Sequence, residues 1–313
     1  MPESQCEPET AVTRAPPQPT IVLAGAGGDL GHRIARALVA RGADVRALVR
    51  ESAPAAGPSA VSASGATPVA VRYEDPASLV AACRGAACVV SALNGLAPVI
   101  LDAQGRLLDA TVAAGVPRFV PSDFSLDFTR TPPGGNRNLD LRRSFMQRVD
   151  RAPVRATSIL NGAFADLLTG DAPIVLHRLR RVLYWGSPDQ PFDVTTKDDV
   201  AAYTAAVALD SEAPRVLRIA GDVVTPRALA ATMAAITGRP FGLWRAGGLD
   251  RLGRVIRVVR ALTPGTEAVF PAWQGMQYLR DMASGRGKLE PLDNDRYGPR
   301  AWTDARSVLA RGA

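Results

Sequence analysis

Glycines recur at a three-residue spacing near the start of the chain, from Gly25 to Gly31, in Gly-Ala-Gly-Gly-Asp-Leu-Gly. They stand between an apolar run and a helical pattern, where glycine permits a tight turn, close approach of the backbone to an anion, and close packing of helix on strand. The N–H groups that open the helix then point at the anion. We therefore predict that the pyrophosphate of a dinucleotide is held by Gly25, Gly27, Gly28, Asp29, Leu30 and Gly31.

A cation follows the second predicted strand, where dinucleotide-binding proteins contact the adenosine ribose. That strand, 44–49, is followed by Arg50, whose guanidinium suits a ribose 2′-phosphate. We therefore predict NADP(H) as the ligand and expect Arg33, in the first helix, to flank Arg50. The alternative is that Arg50 is only a surface residue and Glu51 binds the ribose.

Small residues also end the strand 87–92. It continues from Ser91 and Ala92 into Leu93 and Asn94. Ligands of open α/β sheets bind at this carboxyl edge, so we expect these four residues to lie along the ribose and nicotinamide. An ordinary strand-to-loop transition is the alternative.

Strand and helix patterns alternate from residue 20 to about residue 160, which predicts an α/β fold with a doubly wound parallel sheet of the Rossmann type. We read residues 51–65 as a loop, and 155–160 and 216–220 as two further strands. The predicted organisation is a disordered tail (1–19), a dinucleotide-binding domain (20–160, with its sheet completed by about 214–221), and a smaller, mostly helical substrate domain (161–213 and 222–313).

Composition narrows the function further. The net charge of +7 comes almost wholly from arginine and does not by itself choose between an anionic cofactor and another anionic partner. Three cysteines and two histidines at no ligand spacing predict neither a disulfide framework nor a metal site. No apolar stretch approaches the roughly 20 residues of a membrane span. We expect a cytoplasmic protein with a small-molecule substrate, no nucleic acid and no membrane partner.

Several segments in combination resemble the atypical short-chain dehydrogenases of the NmrA-like and isoflavone-reductase-like group. Besides the glycine turn they are Ala-Leu-Val-Arg-Glu-Ser, Val-Val-Ser-Ala, Ala-Gly-Val-Pro-Arg-Phe-Val-Pro-Ser-Asp-Phe and Ser-Ile-Leu-Asn-Gly-Ala-Phe, within residues 20–220. The resemblance implies NADP(H) as the ligand, with its 2′-phosphate at Arg50. It also implies an active cleft lined by Pro121, Ser122, Asp123 and Phe124, with Asn161, Gly162 and Phe164 near its floor.

The sequence departs from that family at the catalytic base. Reductases of the family use a lysine where this chain has Arg142, followed by Arg143. Arginine keeps its proton above about pH 12 and cannot serve as a general base. A Tyr-x-x-x-Lys pair is also absent. We expect Arg142 or Arg143 to polarise a carbonyl during hydride transfer while Asp123 or a water handles the proton; the alternative is that Asp123 caps a loop and both arginines are solvated.

Three functions follow from these residues. The leading interpretation is an NADPH-dependent reductase of a small, apolar or aromatic carbonyl or conjugated alkene. The missing lysine favours a non-catalytic NADP(H) sensor or regulator instead, and a redox-neutral epimerase or cyclase is the third. Two later segments stay open. Arginines at every third position of 251–260 predict a basic amphipathic helix, usually a solvated face, and 270–278 is either an apolar substrate wall or core packing.

Overall fold

A parallel sheet runs through the first half of the chain. The computed structural model describes residues 18–54, 56–170, 172–264 and 267–312. The strands are β1 (Thr20–Ala24), β2 (Asp44–Arg50), β3 (Thr67–Val71), β4 (Cys88–Ser91), β5 (Arg118–Val120) and β6 (Arg155–Ala156). Their order is β3-β2-β1-β4-β5-β6, and all of them are parallel. Strands are added in one direction from β1 to β3 and in the other direction from β4 to β6, so the strand order switches between β1 and β4. The predicted Rossmann-type sheet is confirmed.

Helices cover both faces of this sheet. They are α1 (Asp29–Val39), α2 (Ala56–Ser62), α3 (Pro76–Cys83), a π-helical segment (Pro98–Ala103), α4 (Gln104–Ala113), α5 (Arg137–Val149) and α6 (Lys197–Leu209). Alternate residues of β1 face opposite layers, as the two-residue period of a strand requires. Leu23 packs in one core with Ile34 of α1, whereas Val22 packs in the other with Leu107 of α4 and Phe145 of α5.

A two-stranded parallel sheet follows β6 along the chain. After Thr157 the chain resumes as β7 (Ser158–Leu160), which pairs in parallel with β12 (Val216–Arg218) in the register Ile159 to Leu217. The two later predicted strands therefore lie side by side, in a sheet separate from the six-stranded one.

The later segments contain more strands than we expected. They form β8 (Ala163–Phe164), β9 (Val175–Leu176), β10 (Arg181–Trp185), β11 (Phe192–Thr195), β13 (Asp222–Val224) and β14 (Gly242–Gly247), in two sheets of order β14-β10-β9 and β13-β11-β8. The helices are α7 (Pro226–Thr237), α8 (Leu249–Leu262), α9 (Ala272–Ala283) and α10 (Ala305–Arg311). Strands of two to six residues carry too few alternating positions to be recognised from pattern alone.

Other expectations differ in detail. The segment 51–65 is not only loop, because it contains the short helix α2, whose Val61 is buried in the sheet core. Nearly all of the predicted tail, including Cys6, lies outside the described residues. Among the helices of the described ranges, none is long and apolar enough to cross a membrane.

Candidate functional site

The glycine turn between β1 and α1 is built around two positions that exclude any side chain. Gly25 has φ +86°, and a Cβ there would stand 2.6 Å from the carbonyl oxygen of Ala92 at the end of β4. A Cβ at Gly31 would overlap the carbonyl oxygen of Gly25. The Gly28 N–H donates to that same oxygen at 3.0 Å. Gly25 and Gly31 thus let strand, turn and helix approach closely.

The outer side of the turn is open. A Cβ at Gly27 would meet nothing within 4 Å, and Gly27, Gly28 and Asp29 are exposed. Gly28 caps α1 without a side-chain hydrogen bond, so the first N–H groups of the helix receive no side-chain cap. The open space therefore lies beside backbone N–H groups that have no side-chain partner, and a phosphate group would fit there. Leu30 instead packs against the core.

Charged side chains flank the opening of α1. Asp29 pairs with Arg33 at 2.7 Å and with Lys197, at the start of α6, at 2.8 Å. Hydrogen bonds from Lys197 and then Arg33 lower the pKa of Asp29. Arg33 also pairs with Asp198 at 2.5 Å, and Lys197 with Asp166 at 2.5 Å. Two carboxylates therefore hold the Arg33 guanidinium beside α6, and its expected position next to Arg50 stays a prediction.

Arg50 is exposed at the carboxyl end of β2. Within 18–54, 56–170, 172–264 and 267–312, no carboxylate lies within ion-pair distance of it. Glu51 lies 3.9 Å from Arg72, which pairs more closely with Asp75, at 2.9 Å. Of the two candidates for the ribose site, Arg50 therefore has no acidic partner among the described residues, whereas Glu51 lies near Arg72.

Three neighbouring strands end in buried polar groups that lack partners. Across the described part of the chain, no hydrogen-bond partner is present for the Ser91 hydroxyl, the Asp123 Oδ1 or either end of the Asn161 side-chain amide. These residues end or follow β4, β5 and β7. Carboxyl ends of parallel strands lie at the edge of a sheet where open α/β folds bind ligands. Unpartnered buried polar groups are costly, and a polar ligand would satisfy them.

The remaining residues of this edge differ in exposure. Asn94 is exposed, Ala92 and Leu93 are half-buried, and Pro121 and Ser122 are buried. Phe124 is buried in the same core as β1 and α1, so it supports the edge from below.

Gln104, which the sequence analysis missed, holds the end of β5 in place. Its side chain is fully buried where the π-helical segment passes into α4. The Gln104 Oε1 accepts from the Ser122 N–H at 2.9 Å, and its Nε2 donates to the Ile100 carbonyl at 3.3 Å. A polar residue inside an otherwise apolar helix face is the signal that could have pointed to it.

The Asp123 carboxyl group lies in the interior. Its Oδ2 accepts from the Ser158 hydroxyl at 2.6 Å, and Ser158 accepts from Arg215, which pairs with Asp150 at 2.8 Å. Burial raises the pKa of Asp123 to about 6, although the Ser158 hydroxyl and the charges of Arg142 and Arg215 lower it. The side chain is fully buried, and its place in the active cleft stays a prediction. Its Oδ1 is a buried oxygen without a partner among the described residues.

The two arginines of α5 have different surroundings. Arg143 pairs with Asp140 at 2.5 Å and donates to the carbonyls of Phe128 and Thr131. That guanidinium fixes the 128–131 loop and is not free to polarise a carbonyl. Arg142 is buried, donates to the Asn138 carbonyl at 3.2 Å, and has an Nε without a partner among the described residues. Of the two, Arg142 is the one with a buried donor that has no partner among the described residues.

Both lysines of the chain are held by carboxylates. Lys197 takes part in the pairs described above, and Lys288 contacts Asp193 at 2.5 Å. The Leu289 N–H donates to the other Asp193 oxygen at 2.8 Å. Gly162, with φ +69°, lets Asp193 approach the chain that follows β7, since a Cβ would stand 2.5 Å from its carbonyl oxygen. This pair anchors the C-terminal segment beside Asn161.

Helix α9 covers the start of α5. Trp273 is buried, with the guanidinium groups of Arg137 and Arg260 at 4.7 and 5.1 Å from its ring. Gln274 donates to the Asn136 side chain at 2.6 Å. Trp273 and Gln274 therefore pack in the interior. Among the described residues, no group of three or more His, Cys, Asp or Glu side chains could hold a metal ion.

Comparisons with solved structures agree with this architecture. AtPrR2, solved with NADP+ and (+)-pinoresinol, is 20% identical, with a TM-score of 0.80 over 96% of this chain and 100% of its own. An isoflavone reductase is 20% identical, with a TM-score of 0.77 over 95% and 100%. An NADPH-dependent quinone oxidoreductase from Escherichia coli is 21% identical, with a TM-score of 0.69 over 93% and 98%. At these identities the similarity establishes the fold.

Sequence comparison identifies the family. No curated protein matches the chain significantly. The profile of the NmrA-like family, however, matches residues 17–245, which include the glycine turn, the carboxyl edge of the sheet and β12. The match spans well over half of the chain, and the resemblance inferred from its motifs is confirmed. The chain belongs to the NmrA-like family.

Proposed function

We propose that this protein binds NADP(H) and reduces a small, apolar or aromatic carbonyl compound or conjugated alkene. The observation that carries the proposal is the row of unpartnered buried polar groups at the strand ends: the Ser91 hydroxyl, the Asp123 Oδ1 and the Asn161 amide. A purely structural edge would leave such groups costly and unexplained.

The residues present fit a dinucleotide. The open side of the glycine turn offers N–H donors for the pyrophosphate, and the free guanidinium of Arg50 offers paired donors for a 2′-phosphate. Two of the structurally similar proteins are named with NADP+ or NADPH, which supports the same ligand here. The nicotinamide would lie toward Ala92 and Asn161, past the strand ends.

A bound nicotinamide would supply two electrons to an electrophilic carbon. The residues of this chain would then position the ligand and manage the proton. The Asn161 amide can both donate and accept, so it can fix a planar polar group. The Asp123 Oδ1, on a carboxyl group whose pKa burial raises to about 6, can hold a proton and pass it on through a water molecule. Arg142 has a free Nε to stabilise developing negative charge.

Turnover tests this proposal. Purified protein is incubated with NADPH and a panel of quinones, enones and aromatic ketones, and NADPH loss is followed by absorbance and confirmed by product analysis. We expect turnover with at least one class and a fall of about 100-fold for Asp123→Asn, the upper range for a lost general acid being near 10⁴. Turnover unaffected by that substitution would remove Asp123 from the mechanism.

A non-catalytic NADP(H) sensor is the second candidate, and the side-chain contacts favour it over any further alternative. Lys197 and Lys288 are each held by carboxylates, so neither lysine is free to carry a proton to a substrate. Tight NADP(H) binding with no turnover over the whole panel is the result expected of a sensor. Steady NADPH consumption would exclude it.

A further inference from the structure

Helix α8 presents an outward face of mixed character. Its inner face buries Leu252 and Ile256. The exposed stripe consists of Arg251, Arg254, Arg257, Val258 and Leu262. At 3.6 residues per turn these five positions fall within about 140° of arc. Arginine and large apolar side chains therefore share one exposed strip.

The charge on this helix is not compensated. Over the ranges that the structure describes, Arg251, Arg254 and Arg257 take part in no ion pair, and Arg260 stacks on Trp273. The region 249–270 contains only two acidic residues. Other exposed arginines do have acidic partners, as Arg227 has in Asp189 at 2.7 Å.

The apolar side chains on the same face are unusually exposed. Val258 is 57% exposed and Leu262 is 76% exposed. Phe270, which lies just before the start of α9, is 58% exposed. A solvated basic helix, which the sequence favoured, has no need of large apolar groups between its arginines. The sequence analysis could not show that these residues point outward.

Exposed arginines next to exposed apolar side chains favour one class of partner over the others. Nucleic acid would satisfy the arginines but gains little from Val258 and Leu262. A second copy of this chain meeting the face across a two-fold axis would bring the same arginines together. An anionic lipid surface satisfies both, because headgroups pair with the guanidinium groups while apolar side chains enter the acyl boundary.

We propose that the outward face of α8, with Phe270, docks this protein reversibly on anionic phospholipid membranes. The helix would lie in the plane of the interface, with Arg254 and Arg257 among the headgroups and Val258 and Leu262 below them. Each arginine near an anionic surface strengthens binding about fivefold, and the attraction weakens as salt shortens the screening length.

Vesicle sedimentation tests this assignment with the full chain. We expect binding to phosphatidylcholine vesicles containing roughly 30% phosphatidylglycerol, and little binding to pure phosphatidylcholine. The variant Arg254→Gln/Arg257→Gln should bind about 25-fold more weakly. Leu262→Ser should also weaken binding while leaving its salt dependence unchanged. Arg106→Gln/Arg151→Gln, which removes two exposed charges elsewhere, should bind like the unmodified protein.

Other outcomes would overturn the proposal. Equal losses in the two double variants would mean that net charge, not α8, drives binding. Binding to duplex DNA that depends on Arg254 and Arg257, without vesicle binding, would assign the face to nucleic acid. A concentration-dependent dimer abolished by Leu262→Ser would assign it to a second copy. Circular dichroism of each variant shows whether it is folded.

Discussion

The two halves of the candidate cleft differ in how their charged groups are used. At the glycine turn and at Arg50, space and donors are left open: nothing lies within 4 Å of a Cβ built at Gly27, and no described carboxylate pairs with Arg50. On the side of α5 and α9, Arg143 and Lys288 are held by carboxylates and carbonyl groups. Buried polar atoms without a partner among the described residues remain there on Asp123, Arg142, Asn161, Trp273 and Gln274.

This difference separates binding from chemistry. The dinucleotide half depends on backbone shape, which glycine enforces locally, and it is ready for an anion before the anion arrives. In the other half, Arg143 holds a loop and Lys288 holds the C-terminal segment, so their charges are already paired. Cofactor binding should therefore survive many substitutions that abolish turnover, whereas few should do the reverse.

The largest effect is expected at Gly31. A side chain in Gly31→Ala would overlap the Gly25 carbonyl oxygen and force the turn open, at a cost of about 3 kcal/mol or more in unfolding free energy. NADP(H) affinity should fall by about 100-fold in any protein that folds. Gly27→Ala is the matched control, because its Cβ has open space and the fold should be unchanged. Urea unfolding and calorimetric titration measure both, and equal stability of the two variants would contradict this role for Gly31.

A smaller loss of stability is expected when Arg143, which holds the 128–131 loop against α5, is replaced. Arg143→Met leaves the Phe128 and Thr131 carbonyls without their donor and should lower the free energy of unfolding by about 2–3 kcal/mol. Arg142→Met loses one hydrogen bond and should cost about 1 kcal/mol. Urea unfolding compares them. Should Arg142→Met prove the more destabilising, the division of roles between the two arginines is reversed.

These contrasts show what the sequence could and could not reveal. The turn and the order of β1, α1 and β2 were predictable because glycine spacing and strand pattern act locally. The inward direction of Asp123 was not, since it depends on Ser158, which lies 35 residues further along the chain. The occupation of Arg33 likewise depends on Asp198, on a helix 165 residues away. Local sequence pattern identifies the residues that follow the strands of the sheet. Contacts with distant parts of the chain decide which of their side chains remain without a partner.

Ionisation of Asp123 should make the free energy of unfolding depend on pH. Its folded pKa is raised to about 6, above the unfolded value, so the folded state binds more protons between about pH 4 and 6 and loses stability as pH rises through that window. Asp123→Asn removes this cost and should raise the unfolding free energy at pH 8 by about 3 kcal/mol, with little change at pH 4. Thermal unfolding at both values checks this. A uniform loss of stability at both would contradict it.

The smallest effect is expected at Asn161. Replacing an unpartnered buried amide by an apolar group, as in Asn161→Leu, should raise the stability of the ligand-free protein by about 1 kcal/mol. The same change should weaken NADP(H) binding by about tenfold, because a ligand contact is lost. Ser91→Ala serves as a milder control at the neighbouring strand. A destabilised Asn161→Leu variant would show that the amide has a structural partner.

The central claim is that Arg50 makes the open half of the cleft an NADP(H) site. Calorimetric titration of the unmodified protein and of Arg50→Gln with NADP+ and NAD+ tests it directly, with Arg36→Gln on the exposed face of α1 as the control. We predict that NADP+ binds about 10- to 100-fold more tightly than NAD+ and that Arg50→Gln abolishes the preference without weakening NAD+ binding. Equal affinities in the unmodified protein, or a preference that survives Arg50→Gln, would contradict the account.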